Sequence, residues 1–278
     1  MAGAGNQLSG DRLMVEAAVA GPDVLTAREV GMVFNADSAN PVRALGDISF
    51  GLRPREVLAI VGPSGCGKTT LFNIIAGLIS PSQGSVSVNG VQVAGAKGQV
   101  GYMLQKDMLL PWRSVLDNVT LGLEVRGVGR AEAVEIAHRL ISAYGLGGFE
   151  HAKPATLSGG MRQRVAFMRT LAFDPDVILL DEPFSALDFQ TRLLLQGEVQ
   201  RIIRERGKSV ILVTHDIGEA ITMADRIVVM TNRPATVKSV HTIELSDSER
   251  DPVKIRTNAL YNEYFNRIWA ELEIRREL

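Results

Sequence analysis

The sequence predicts an α/β protein: a largely parallel sheet covered by helices, carrying an antiparallel β region and a helical insertion. Three observations lead there. Short, nearly continuous apolar runs recur at 57–62, 100–104, 177–181, 209–215 and 226–230, as expected of strands buried on both faces of a parallel sheet. Helical patterns at 68–78, 189–206 and 216–224 alternate with them, the rhythm of a layered α/β fold. Residues 26–56 and 84–93, and separately 113–172, break that rhythm and predict the additions.

Taken in order, residues 1–25 lack a basic start followed by an apolar core, and Glu16 interrupts the only candidate, so a mobile tail is expected. A domain over 26–250 follows. Residues 26–56 and 84–93 read as short antiparallel strands with Gly and Pro turns, as in SVSVNG. VLAIVG at 57–62 is the first buried strand, and it passes through glycines into KTTLFNIIAGL. Residues 113–172 hold helix patterns and no convincing strand, which predicts a helical subdomain at about 106–172. VILLD, SVILVTH and RIVVM are further buried strands. The end, 251–278, reads as an extension made of one amphipathic, charged helix, with Arg275 and Arg276 at a solvated terminus. No internal repeat occurs.

With 278 residues and 46% hydrophobic content, a sizeable core is available. Thirty basic residues against thirty-one acidic ones leave a net charge of −1, without the basic excess of a bulk nucleic-acid binder. The single cysteine, Cys66, excludes an internal disulfide and fits a reducing compartment. No apolar run approaches the roughly 20 residues that span a bilayer. A cytosolic protein is expected.

The chemistry begins at GPSGCGKTT, residues 62–70, which follows a strand and opens a helix, the context a phosphate loop requires. Gly62, Pro63, Ser64, Gly65, Cys66 and Gly67 form the wrap, and its glycines let backbone N–H groups turn inward. Lys68 would neutralise β- and γ-phosphates, Thr69 would place its hydroxyl on Mg²⁺, and Thr70 could donate to the α-phosphate. Cys66 reads as a small residue tolerated between glycines; a redox switch is the alternative. Kinases, GTPases and transport ATPases all share such a loop.

Further motifs narrow the choice. VILLDEP, 177–183, ends a strand in two acids. Asp181 can hold a Mg²⁺ shell and Glu182 can take a proton from an attacking water, the alternative being two acids that cap the next helix. His215 ends another strand, at the sheet edge where ligands of open α/β folds bind, which suits a γ-phosphate contact. In LSGGMRQR, 157–164, Ser158, Gly159 and Gly160 lead into a helix-like run. Such a turn leaves N–H groups unpaired and pointing one way, a second anion site.

With these parts in place the chain resembles the ATP-binding subunits of ABC transporters from about residue 26 onward. GPSGCGKTT resembles Walker A, VILLDE Walker B, and Leu157, Ser158, Gly159 and Gly160 the ABC signature. Met161 follows where many members carry glutamine. SALD, with Ser185 and Asp188, resembles the D-loop, and VTHD the switch histidine. Gln105 matches the Q-loop glutamine, which in the family senses Mg²⁺ and γ-phosphate and links to membrane subunits. Phe34 lies where the family stacks an aromatic on adenine; a core aromatic is the alternative.

The resemblance implies a P-loop NTPase of the ABC ATPase type: a RecA-like core with an antiparallel β subdomain and an inserted helical subdomain. It implies ATP and Mg²⁺, the metal held near Thr69, Gln105 and Asp181, with Lys68, Glu182 and His215 catalytic. It also implies a head-to-tail homodimer in which Ser158 and its glycines serve the partner's ATP. Permease subunits would dock near 105–119, where Leu109, Leu110, Pro111 and Trp112 are expected to be partly exposed; filling the core is the alternative. LLPWRSVLDNV and DEPFSALDFQTR resemble the importers for nitrate, sulfonates and taurine, although Lys106 departs from that pattern. A solute-binding protein outside, and a place on the cytoplasmic face of the membrane, follow from that branch. ABC ATPases that act on DNA carry a long coiled coil between the ATP motifs, which this chain lacks, and those that act on ribosomes usually carry two cassettes.

Overall fold

A computed structural model describes residues 22–95 and 98–272. The expected tail up to residue 21, and Arg275 and Arg276, lie outside them. The chain opens with antiparallel β1 (Leu25–Phe34) and β2 (Val42–Leu52), then β3 (Val57–Val61) and α1 (Lys68–Ile75). Short β4 (Gln83–Val88) and β5 (Val91–Gln92) precede β6 (Val100–Met103). Helices α2 (Val115–Val125), α3 (Arg130–Ala143) and α4 (Gly159–Leu171) separate β6 from β7 (Val177–Asp181). Then α5 (Phe189–Arg206), β8 (Ser209–Thr214), α6 (Ile217–Met223), β9 (Arg226–Met230), β10 (Val237–Thr242) and α7 (Ala259–Leu272) complete the described chain.

The strands form two sheets, ordered β2-β1-β4-β5 and β10-β9-β3-β8-β7-β6. In the larger one, β9, β3, β8, β7 and β6 are parallel, so their C-terminal ends share one edge. Alternate residues of the central strands face opposite cores. Val57, Ala59 and Val61 of β3 join Ile178 and Leu180 of β7 in a core closed by α2 to α6. Leu58 and Ile60 join Val177 and Leu179 in a core closed by α1 and the smaller sheet. Burial on both faces is why these strands read as continuous apolar runs rather than alternating ones. Each fully buried aliphatic contributes about 1.5–3 kcal/mol.

Helix ends follow local chemistry. Ser114, Ser158, Asp188 and Asp216 cap α2, α4, α5 and α6 by accepting the N–H of the residue three positions on. Gly207, at φ 58°, ends α5 in the left-handed conformation.

Three expectations are corrected. Strand β10 was not foreseen; it pairs antiparallel to β9 at the sheet edge, where half-exposed VKSVHT shows no apolar run. The C-terminal extension is not one helix. Its first part holds only a single 3-10 turn, Ile255–Thr257, and α7 begins at Ala259, because Pro252 and Asn258 favour turn and boundary positions. Leu109, expected to be partly exposed, is 8% exposed and belongs to the helical core, the alternative reading for that residue.

Candidate nucleotide site

The phosphate loop runs from the end of β3 to the start of α1. Gly67 takes φ 124°, and a Cβ there would lie 2.8 Å from Leu45 and 3.2 Å from the Ala44 carbonyl of β2. Glycine is therefore required for both conformation and space. The buried Lys68 ammonium donates to the carbonyls of Gly62 (2.8 Å) and Pro63 (3.0 Å), folding over the loop it would serve. Thr69 is exposed and Thr70 half-buried. Cys66 is buried beneath the loop. Arg233, which the sequence reading did not single out, donates to the Gly65 carbonyl at 2.7 Å from a distant turn.

Parallel register brings the other motif residues to this edge. Val61 pairs with Thr214 and Asp181 with Val213, so His215, Glu182 and the loop leave neighbouring strands side by side. Glu182 sits at φ 46°, a left-handed conformation that costs an L-residue about 1–2 kcal/mol and turns its side chain out of the strand alternation. Its Oε2 accepts from Gln105 Nε2 at 2.8 Å and lies 3.3 Å from His215 Nδ1. Three strand ends thus converge on one carboxylate oxygen. Asp181 is buried, and burial is the main cause that raises its pKa, against the Tyr102 hydroxyl bonded to it. Ser185 Oγ donates to the Glu182 carbonyl at 3.0 Å. Asp188 caps α5, and its bond from Thr191 lowers its pKa.

The donor set fits a magnesium–nucleotide complex. Among the described residues no three His, Cys, Asp or Glu side chains cluster to hold a metal alone. Thr69 and Asp181 offer the one or two oxygens Mg²⁺ uses when phosphates complete its shell. Phe34, at 38% exposure, faces outward opposite Val42 at the rim of the smaller sheet, which disfavours the core reading.

Ser158 is exposed and Leu157 buried. The Ser158 hydroxyl accepts the Met161 N–H at 3.3 Å, leaving the amides of Gly159 and Gly160 as the orphan donors of the first turn. This turn rests on the start of α5: a Cβ at Gly160 would come within 2.9 Å of Thr191. A cavity of about 480 Å³ flanks the phosphate loop, lined by Pro63, Ser64, His215 and Ile217 and walled by Phe265 and Trp269 of α7, and Ser158 does not line it.

The segment after Gln105 is strapped down from several sides. Arg169 of α4 donates to the carbonyls of Asp107 (2.6 Å) and Met108 (2.7 Å), and Arg162 to the Asp107 carboxylate (3.1 Å). Buried Asn118 receives the Leu110 N–H and returns a bond to its carbonyl, while Lys153 donates to Trp112. Leu110 is half-buried, Pro111 and Lys106 are exposed, and Trp112 is 70% exposed. Sequence patterning could not reveal Arg169, Asn118 or Tyr102, whose partners are far along the chain or backbone atoms.

A strand–loop–helix phosphate cradle with an acid pair and a histidine on adjacent strand ends defines a P-loop nucleotide-hydrolysing protein. The family described as ABC transporter matches residues 45–185. An uncharacterized ABC transporter ATP-binding protein of Methanocaldococcus jannaschii is 47% identical over 231 residues, 83% of this chain and 85% of that protein. A taurine import ATP-binding protein of Escherichia coli is 45% identical over 194 residues, 70% of this chain and 76% of that one. Among solved structures, the ATP-binding cassette MJ0796 in a dimeric post-hydrolysis state with ADP and Pi superposes with a TM-score of 0.69 at 29% identity, covering 80% of this chain and all of that one. The chain belongs to the ABC transporter family, and it is an ATPase of that family.

Proposed function

We infer that this chain is the ATP-hydrolysing subunit of an importer for a small molecule such as taurine, a sulfonate or nitrate. Its relatives named for taurine import support the substrate class. In this reading the phosphate loop (Gly62, Pro63, Ser64, Gly65, Cys66, Gly67, Lys68, Thr69, Thr70) holds ATP, with Phe34 against adenine. Thr69, Gln105 and Asp181 would hold Mg²⁺, which when bound offsets charge on the β- and γ-phosphates. Glu182 accepts a proton from water whose oxygen bonds to the γ-phosphorus as the bond to the bridging oxygen breaks, giving ADP and phosphate. His215 and Gln105, both on the Glu182 carboxylate, keep that base aimed.

The observation that carries the assembly is the separation of two anion-binding turns. Ser158 caps α4 of the helical subdomain, where its turn rests on α5, whereas the phosphate loop opens α1 from β3, so its orphan amides suit the nucleotide of a second copy. ATP between two copies is then attracted from both sides, and hydrolysis releases them. Ser185 and Asp188, in the segment whose Leu187 and Thr191 approach Gly159 and Gly160, belong to the same face. Permease subunits dock on the Leu110–Trp112 region, where Pro111 and Trp112 are exposed, at the cytoplasmic face of the membrane, and an extracytoplasmic solute-binding protein delivers cargo. No helix of the described residues is long and apolar enough to cross a membrane.

Light scattering tests the reading. Glu182→Gln protein with ATP should accumulate as a dimer, and adding Ser158→Arg should return it to monomer while ATP affinity of the dilute monomer is kept. A dimer that survives, or a monomer that no longer binds ATP, would mean that LSGGMRQR serves its own chain.

A further inference from the structure

We propose that Tyr102 is a positioning residue for metal-dependent nucleotide binding, its hydroxyl fixing Asp181 so that one carboxylate oxygen is reserved for the Mg²⁺ shell. Tyr102 lies on β6 opposite Leu179 of β7. Leu179 and Asp181 are two apart on that strand, so Tyr102 and Asp181 project from the same face of the sheet. The hydroxyl donates to Asp181 Oδ2 at 3.2 Å and stands 3.4 Å from Asn73 Oδ1. It carries a single proton, and the nearer, anionic acceptor takes it.

The ring is not free to leave. Tyr102 packs edge-on against Phe72, with centroids 5.8 Å apart and planes at 80°, and Phe72 is fully buried. Phe72 and Asn73 belong to α1, the helix that Thr69 and the phosphate loop begin. Through its ring and its hydroxyl, Tyr102 thus joins the phosphate-loop helix, the β6 strand that leads to Gln105, and the acid-bearing strand. Asp181 is only 4% exposed, so bulk water competes little for the bond to Oδ2. With Oδ2 held, rotation of the carboxylate is restrained and Oδ1 is left for the metal shell. The inference rests on the assignment of Asp181 to the metal shell.

Tyr102→Phe keeps the ring contact with Phe72 and removes only the donor. Binding of a fluorescent ATP analogue is titrated with Mg²⁺, and separately measured in EDTA. The expected result is a Mg²⁺ midpoint raised about tenfold, as for loss of one hydrogen bond to a charged group, with affinity in EDTA unchanged. Mn²⁺ electron paramagnetic resonance should show the same weakening without reference to turnover. Asn73→Ala should leave the midpoint alone, because the donated proton goes to Asp181. An unshifted midpoint in Tyr102→Phe overturns the proposal, as does an equal loss of affinity with and without metal. A shift in Asn73→Ala as large as that in Tyr102→Phe also overturns it. Asp181→Asn checks the underlying assignment: if it leaves Mg²⁺ dependence unchanged, the metal role of Asp181 fails first and takes this inference with it. If Asp181→Asn alone shifts the midpoint, only the Tyr102 step is lost.

Discussion

Replacing Arg169 with methionine should loosen the segment that follows Gln105 without unfolding the protein. Methionine fills a similar path through the helical core but donates nothing. Arg169 presents its guanidinium to two backbone carbonyls, those of Asp107 and Met108. Met108 sits at φ 47°, a left-handed conformation that needs external support. A hydrogen bond from a charged donor contributes about 1.5–3 kcal/mol when buried, but the bond to Met108 is exposed and counts for less. About 2 kcal/mol of local stability is therefore at stake, roughly a 30-fold change in a local opening equilibrium. Hydrogen exchange followed by mass spectrometry reads this directly: amides in 105–112 should exchange about 30-fold faster, while β3 and β8 keep their protection. The same variant should assemble poorly with permease subunits because the Leu110–Trp112 surface is no longer held in shape. Unchanged exchange in this segment would refute the strap. Equal acceleration throughout the sheet would show a general packing role instead.

Three further outcomes are expected. Lys68→Ala and Glu182→Gln should each lower ATP hydrolysis by on the order of 10²-fold or more, the first with weakened ATP binding and the second with binding kept; wild-type turnover by Glu182→Gln would remove the proposed base. Trp112→Glu should abolish co-purification with the membrane subunits while sparing ATP binding, and loss of ATP binding would show that Trp112 supports the fold. Glu219 of α6 is fully buried with Oε1 unpartnered, and burial together with nearby Asp216 pushes its pKa up to about 8. Because the folded state keeps a proton that the unfolded chain loses above about 4.3, its contribution is fully present below that value and is lost as pH rises through about 8. Urea denaturation across pH 5 to 8 should therefore show a falling stability that Glu219→Gln flattens, and an unaltered slope in that variant would exclude Glu219 as its source.

What the sequence by itself determined is the chemistry that neighbouring residues complete together. The phosphate loop needs glycine where Gly67 meets β2, and a contiguous nine-residue pattern encodes that need. The central strands are legible because burial on both faces leaves an unbroken apolar run, and the Ser158 turn is legible because its serine and two glycines are contiguous. Tertiary structure decided everything that depends on strand order or on which side of a loop faces inward. Leu109 and Leu110 are alike in sequence, yet buried Asn118 ties the backbone of Leu110 and turns Leu109 toward the core. Strand β10 has no apolar run because it lies half exposed at an edge, where pairing rather than burial defines it. The meeting of Gln105 and His215 on Glu182 requires β6, β7 and β8 to lie side by side in that order. Tyr102 reaching Asp181 and Arg169 reaching carbonyl oxygens use partners 79 and about 60 residues away. No local pattern marks such pairs, because a hydrogen bond constrains distance in space and leaves separation along the chain free.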